Sequence, residues 1–251
     1  MLDNPLVLGV LLSLLAGLAT TIGAAIAFVV RRFSNRWLAI LLGFAAGVMI
    51  SISFIELLGE AIEMIGLASA GIAFFVGFGS IFLIDVLVPH DYETEHIDDE
   101  SAKLHRTGVF TAIGVAIHNF PEGLVVVAGT AASLELGIVL AIAVAIHNIP
   151  EGIAVAVPIV QATGKRTVAF TYALLSGLAE PVGAVLGALV LMHFMTDTAL
   201  ALVLAGVAGL MVFISLDELL PAANLSQEGH SATLGVLLGM MLMVATLVVM
   251  H

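Results

Sequence analysis

Apolar residues run along this chain in eight blocks, at about 5–30, 37–60, 67–88, 107–130, 134–160, 167–192, 197–220 and 231–250, with short polar breaks between them. A spanning helix needs about 20 apolar residues, so each block is long enough to cross a bilayer. No block alternates with period two, which argues against a β-barrel. The predicted fold class is an all-α polytopic integral membrane protein with eight transmembrane helices. Residues 1–251 read as a single membrane domain. The one soluble-looking break is a loop at about 89–106, from Pro89 to Arg106.

Composition narrows the class. Apolar residues make up 61% of the chain and charged residues only 10%, with a mean hydropathy of +1.20. Soluble domains carry roughly 25% charged residues, so a soluble or peripheral protein is excluded. Seven basic residues against 19 acidic ones exclude a nucleic-acid partner and leave the lipid bilayer as the surroundings. There is no cysteine, and hence no disulfide, thiolate metal site or thiol nucleophile.

The basic residues predict orientation. Arg31, Arg32 and Arg36 follow the first block, Lys103 and Arg106 the third, and Lys165 and Arg166 the fifth; the breaks after the second, fourth and sixth blocks hold none. The positive-inside rule makes the loops after odd-numbered helices cytoplasmic. Both termini then lie outside the cytoplasm, and the first block, with Arg31 and Arg32 behind it, reads as an uncleaved helix. Trp37 reads as an interfacial anchor.

One motif is duplicated. Ala116-Ile-His-Asn-Phe-Pro-Glu-Gly123, in the fourth block, recurs as Ala145-Ile-His-Asn-Ile-Pro-Glu-Gly152 in the fifth. Successive helices run oppositely, so the copies form an inverted pair at mid-membrane, broken at their prolines, and inverted pairs of discontinuous helices are the usual place for a transporter's substrate site. His118 and Glu122 sit at i and i+4, on one helix face, with Asn119 beside them; His147, Asn148 and Glu151 repeat the arrangement. Pro121 and Pro150 free the carbonyls of Ile117 and Ile146, which must find other partners in a bilayer. Two imidazoles with two carboxylates suit a divalent transition metal, and the two carboxylates balance its charge. Glu180, in the sixth block before Pro181, has no basic residue in any block to pair with. It reads as a further ligand or as a carboxyl sharing a proton.

Other polar groups stand outside the motif. Glu56 and Glu60, followed by Glu63, form either a cation-attracting entrance or a solvated helix end. Asp85, Asp217 and Glu218 are candidate exit residues near the inner face, or ordinary interfacial charge. His90, His96 and His105, with six acids around them, make the long loop a candidate metal sensor or a plain solvated loop. Small-residue spacings such as Gly43-Phe-Ala-Ala-Gly47 read as helix packing.

On these motifs the chain resembles the ZIP family of divalent-metal transporters. Ser34-Asn-Arg36, Leu134-Glu-Leu-Gly137, Ser176-Gly-Leu-Ala-Glu180 and Asp217-Glu-Leu-Leu-Pro221 are also similar to that family. The resemblance implies a binuclear centre. His118, Glu122, His147 and Glu151 would hold one metal; Asn119, Glu122, Asn148, Glu151 and Glu180 would hold the second, with Glu122 and Glu151 bridging. It further implies inward transport across the cytoplasmic (inner) membrane, a homodimer, and movement of helices 1, 4, 5 and 6 against the rest. The metal would be a bound substrate, Zn2+ first and then Fe2+, Mn2+, Co2+ or Cd2+, with no cofactor. Two other readings remain open on the residues: an intramembrane metal-dependent hydrolase, and a proton- or cation-coupled carrier of another substrate. The zinc-protease helix motif His-Glu-x-x-His does not occur.

Overall fold

The computed structural model describes residues 4–29, 34–87, 100–194, 196–224 and 229–250, and these are helical apart from caps and turns. The elements are α1 (Pro5–Val29), α2 (Asn35–Ile52), a π-helical turn (Ser53–Leu57), α3 (Leu58–Leu87), α4 (Glu100–Ala132), α5 (Leu134–Thr163), α6 (Arg166–Gly177), α7 (Ala179–Phe194), α8 (Asp197–Ile214), a second π-helical turn (Ser215–Leu219), α9 (Leu220–Asn224) and α10 (Ser231–Met250).

Among the described residues, seven helical stretches are long and apolar enough to cross a membrane. A shorter apolar helix, Leu67–Leu83, stands where the third block was expected. It is the part of α3 beyond Gly66, whose φ of 79° breaks the helix. That angle lies in the left-handed region, which glycine enters without steric cost. Leu15, Leu67, Phe75, Val248 and Val249 are among many large apolar side chains on the outer surface, Val249 being 85% exposed. So much exposed apolar surface is stable only against lipid.

Helix starts follow local chemistry. The side-chain oxygens of Ser34, Ser133 and Thr196 accept from the backbone N–H groups of Trp37, Leu136 and Ala199 at 3.3, 3.0 and 3.1 Å, the N-cap geometry that satisfies otherwise unpaired donors. Trp37 is exposed on the first turn of α2, as an interfacial anchor should be.

Three expectations are corrected. The long break is shorter than Pro89 to Arg106, because α4 already begins at Glu100. The stretch from Glu100 to Arg106 is rich in good helix formers and extends the apolar helix behind it. The proline motifs do not interrupt their helices: α4 runs through Pro121, and α5 through Pro150 and Pro158. The break falls instead in the sixth block, where α6 ends at Gly177 and α7 starts at Ala179. Pro181 lacks the N–H that would bond the Gly177 carbonyl, and its ring crowds that carbonyl.

The helices pack as two groups. One comprises α1, α4, α5, α6 and α7; in the other, α3 lies along α8, and α2 along α10. The groups meet mainly where α2 packs on α5 and α4 packs on α8. The main apolar core runs through both groups, and a smaller one around Val155 and Ile159 fills one end of the first.

Candidate metal centre

The centre lies inside the first group. α4 supplies His118, Asn119 and Glu122, α5 supplies His147, Asn148 and Glu151, and α7 supplies Glu180 from its first turn. All seven side chains are buried, none more than 2% exposed. Close helix contact is what buries them. A Cβ on Gly123 would collide with the Glu180 carbonyl oxygen, and one on Gly152 with the Thr20 carbonyl oxygen. The glycine that ends each motif is thus required for α7 and α1 to approach.

Two tethers set the geometry. The Asn119 Nδ2 donates to the carbonyl of Ser176 at 3.0 Å, and the Asn148 Nδ2 donates to the carbonyl of Ala16 at 3.0 Å. Asn148 Nδ2 also donates to Glu180 Oε2 at 2.8 Å. With their amide nitrogens so engaged, both asparagines are left with Oδ1 as a buried acceptor. Neither Oδ1 has a hydrogen-bond donor, nor do Glu122 Oε2, both oxygens of Glu151, or Glu180 Oε1.

Glu122, His147 and Glu151 each offer a ligand atom, and these atoms lie within 4.8 Å of one another. Within that trio, His147 Nε2 is 2.9 Å from Glu122 Oε1. The ligands of a four-coordinate zinc stand at about 2.0–2.2 Å from the ion, so small side-chain rotations suffice to close the trio on one. Buried acceptors without donors are costly, and buried carboxylates without counter-charge more so. No Lys or Arg occurs anywhere between residues 107 and 164 or after residue 166. A divalent cation would answer both deficits: it would supply the counter-charge and take lone pairs from nitrogen and oxygen alike.

The structure separates the other expected residues. His118 does not join the close trio; its Nε2 faces Glu218 Oε1 at 2.8 Å, although Glu122 and Glu151 remain within Coulombic range. Glu218, half-buried in the second π-helical turn, therefore borders the centre. Asp217 beside it is exposed. Glu56 lies in the first π-helical turn and Glu60 in the first turn of α3, both half-buried. Asp85 falls on the last turn of α3. His90 and His96 lie outside the described residues. His105 is not in a loop: it sits on α4, half-buried, with its ring 6.4 Å from that of Tyr172. Sequence reading missed the roles of the Ser176 and Ala16 carbonyls and of Thr20, whose buried hydroxyl has no hydrogen-bond partner. A signal existed, because Gly17-Leu-Ala-Thr20 matches Gly177-Leu-Ala-Glu180.

The family model described as ZIP zinc transporter matches residues 89–247. The chain belongs to the ZIP family. Its ZIP relatives match from end to end. A protein named zinc transporter ZupT from Chlorobium limicola is 49% identical, over 95% of this chain and 96% of its own. One of the same name from Nitratidesulfovibrio vulgaris is 46% identical over 98% of each chain, and one from Streptococcus mutans 47% identical over 94% and 95%. These ZIP proteins are named as transporters and not as enzymes. The chain is an integral membrane protein.

Proposed function

We propose that this chain carries divalent transition-metal cations, Zn2+ first and Fe2+, Mn2+, Co2+ and Cd2+ as further candidates, inward across the cytoplasmic membrane. The observation that carries this reading is the set of buried acceptor oxygens without a donor on Asn119, Glu122, Asn148, Glu151 and Glu180, with Glu122 and Glu151 lying beside the imidazole of His147. Protons or apolar substrates would not need so many lone pairs in one buried place. The centre holds two ions. His118, Glu122, His147 and Glu151 serve one, Asn119, Asn148 and Glu180 serve the other, and Glu122 and Glu151 bridge them. The two asparagine tethers keep the oxygens oriented whether or not metal is bound, as outer contacts do in metal sites generally.

In this reading the chain spans the membrane eight times, α4 and α5 form an inverted pair, and both termini lie outside the cytoplasm. The protein works as a homodimer and needs no cofactor. Support for eight spans comes from the seven long helical stretches together with Leu67–Leu83. Support for the orientation comes from the distribution of the seven basic residues.

Radiotracer zinc uptake by cells expressing the chain tests the reading. Uptake above that of vector-only cells, suppressed by excess unlabelled Zn2+ and by the other divalent transition metals, is expected. Uptake equal to the vector control, or uptake insensitive to competing metals, would overturn it.

A further inference from the structure

The two π-helical turns are copies of one another. Met49, Ile52, Ser53, Glu56, Leu57 and Leu58 recur in the same order and spacing as Met211, Ile214, Ser215, Glu218, Leu219 and Leu220. Each turn opens on its serine, whose hydroxyl donates back to the carbonyl four residues earlier: Ser53 to Met49 at 2.7 Å and Ser215 to Met211 at 2.8 Å. π-Helical turns are rare and concentrate at functional sites. Two of them with one sequence, each presenting a glutamate at the same register, call for a common purpose.

The surrounding contacts are matched in the same way. Exchange α4 with α5, α2 with α8, α3 with α10, and α1 with α6 and α7. The packing of α2 on α10 then becomes that of α8 on α3, and the contact of α2 with α5 becomes that of α8 with α4. The Asn119 bond to Ser176 becomes the Asn148 bond to Ala16. The glycine contacts follow: Gly47 meets Val236 and Gly209 meets Phe74, backbone to backbone in each case. Under this exchange His118 maps to His147, and Glu218 maps to Glu56.

At that pair of positions the match fails. His118 of the first helix group faces Glu218 of the second at 2.8 Å. His147 instead keeps its Nε2 on Glu122, inside its own group. A molecule built from two matched halves can break its symmetry in either of two opposite senses, and the structure holds one of them. The alternate sense exchanges the roles, which is the usual basis of alternating access in inverted-repeat carriers.

We propose that Glu56 is the outer-face equivalent of Glu218. In the opposite conformation its carboxylate closes on His147, which lets go of Glu122, while Glu218 withdraws from His118. An entering divalent cation is held first between Glu56 and His147, and a leaving one last between His118 and Glu218. This rests on the transport reading above, and it assigns the two acids separate steps of that transport.

The absence of native cysteine allows a direct test. A Cβ on Gly114 would lie 3.2 Å from Glu218 Oε2, and the matched residue to Gly114 is Ala143. The double variants G114C/E218C and A143C/E56C are each expected to cross-link in membranes of expressing cells. A variant carrying all four cysteines is expected to form one link or the other in any one molecule, never both. In kinetics, Glu56→Gln should raise the KM for zinc about tenfold or more, as loss of a metal-site contact does, with the maximal rate kept and Glu56→Asp restoring KM. Glu218→Gln should lower the maximal rate instead. Wild-type KM in Glu56→Gln, or no A143C/E56C link in cells where G114C/E218C links, overturns the inference. Wild-type uptake measured alongside separates the two failures: if the wild-type chain takes up no zinc the transport reading falls, and if it does, only the role of Glu56 falls.

Discussion

The imidazole of His147 reaches across from α5 to α4, where its Nε2 lies 2.9 Å from Oε1 of Glu122, both side chains being buried. The contact ties the two motif copies together across α4 and α5. It also places an imidazole nitrogen and a carboxylate oxygen side by side, and under the proposed function both bind the cation. Under the proposed function, metal binding exchanges this one polar contact for two metal–ligand bonds. Loss of an outer contact already costs metal sites about 10–100-fold in affinity or activity. His147→Ala, which removes a direct ligand, is accordingly expected to lower zinc uptake by at least about tenfold, measured as initial rate per amount of protein in the membrane.

The asparagines should rank by the number of their bonds. Asn148 donates to both Ala16 and Glu180, and Asn119 donates to Ser176. A buried polar group left without its partner costs about 1–3 kcal/mol. Thermal unfolding of the purified protein in detergent is expected to fall further for Asn148→Ala than for Asn119→Ala, and zinc affinity should fall in the same order.

Glycine contacts predict where a single methyl group is tolerated. Gly123→Ala drives a Cβ into the Glu180 carbonyl and Gly152→Ala into that of Thr20, whereas a Cβ on Gly71 meets nothing within 4 Å. Overpacking typically costs about 1–3 kcal/mol. The first two variants should unfold at lower temperature and lose uptake, while Gly71→Ala should match wild type in both.

Orientation is checked by accessibility of single cysteines introduced into a chain that has none. Leu134→Cys, at the start of α5, is expected to react with an impermeant maleimide on intact spheroplasts. Lys165→Cys, between α5 and α6, should react only after the membrane is opened.

Much of this was legible in the sequence because membrane burial makes each polar residue informative. His118, Asn119, Glu122 and their repeat stood out as a duplicated polar pattern in apolar blocks, and Glu180 stood out as an acid without a base. The structure places these residues on α4, α5 and α7, all of them buried. The helix break was read at the wrong prolines. Pro121 and Pro150 sit inside continuous helices, whereas α6 ends at Gly177, the residue whose carbonyl Pro181 cannot bond. The partnership of His118 with Glu218 joins residues 100 positions apart and has no local signature. Periodicity does not distinguish a π-helical turn from an α-helical one, so the turns at Ser53 and Ser215 were invisible to it. Their shared sequence was the available clue.

Zinc flux into proteoliposomes containing only the purified chain tests the central claim most directly, with wild type compared against Glu151→Gln. Both oxygens of Glu151 are buried acceptors in the close trio. The account predicts zinc accumulation by wild type and a fall to the protein-free background for Glu151→Gln at equal reconstitution. Equal flux through the two proteins would contradict it.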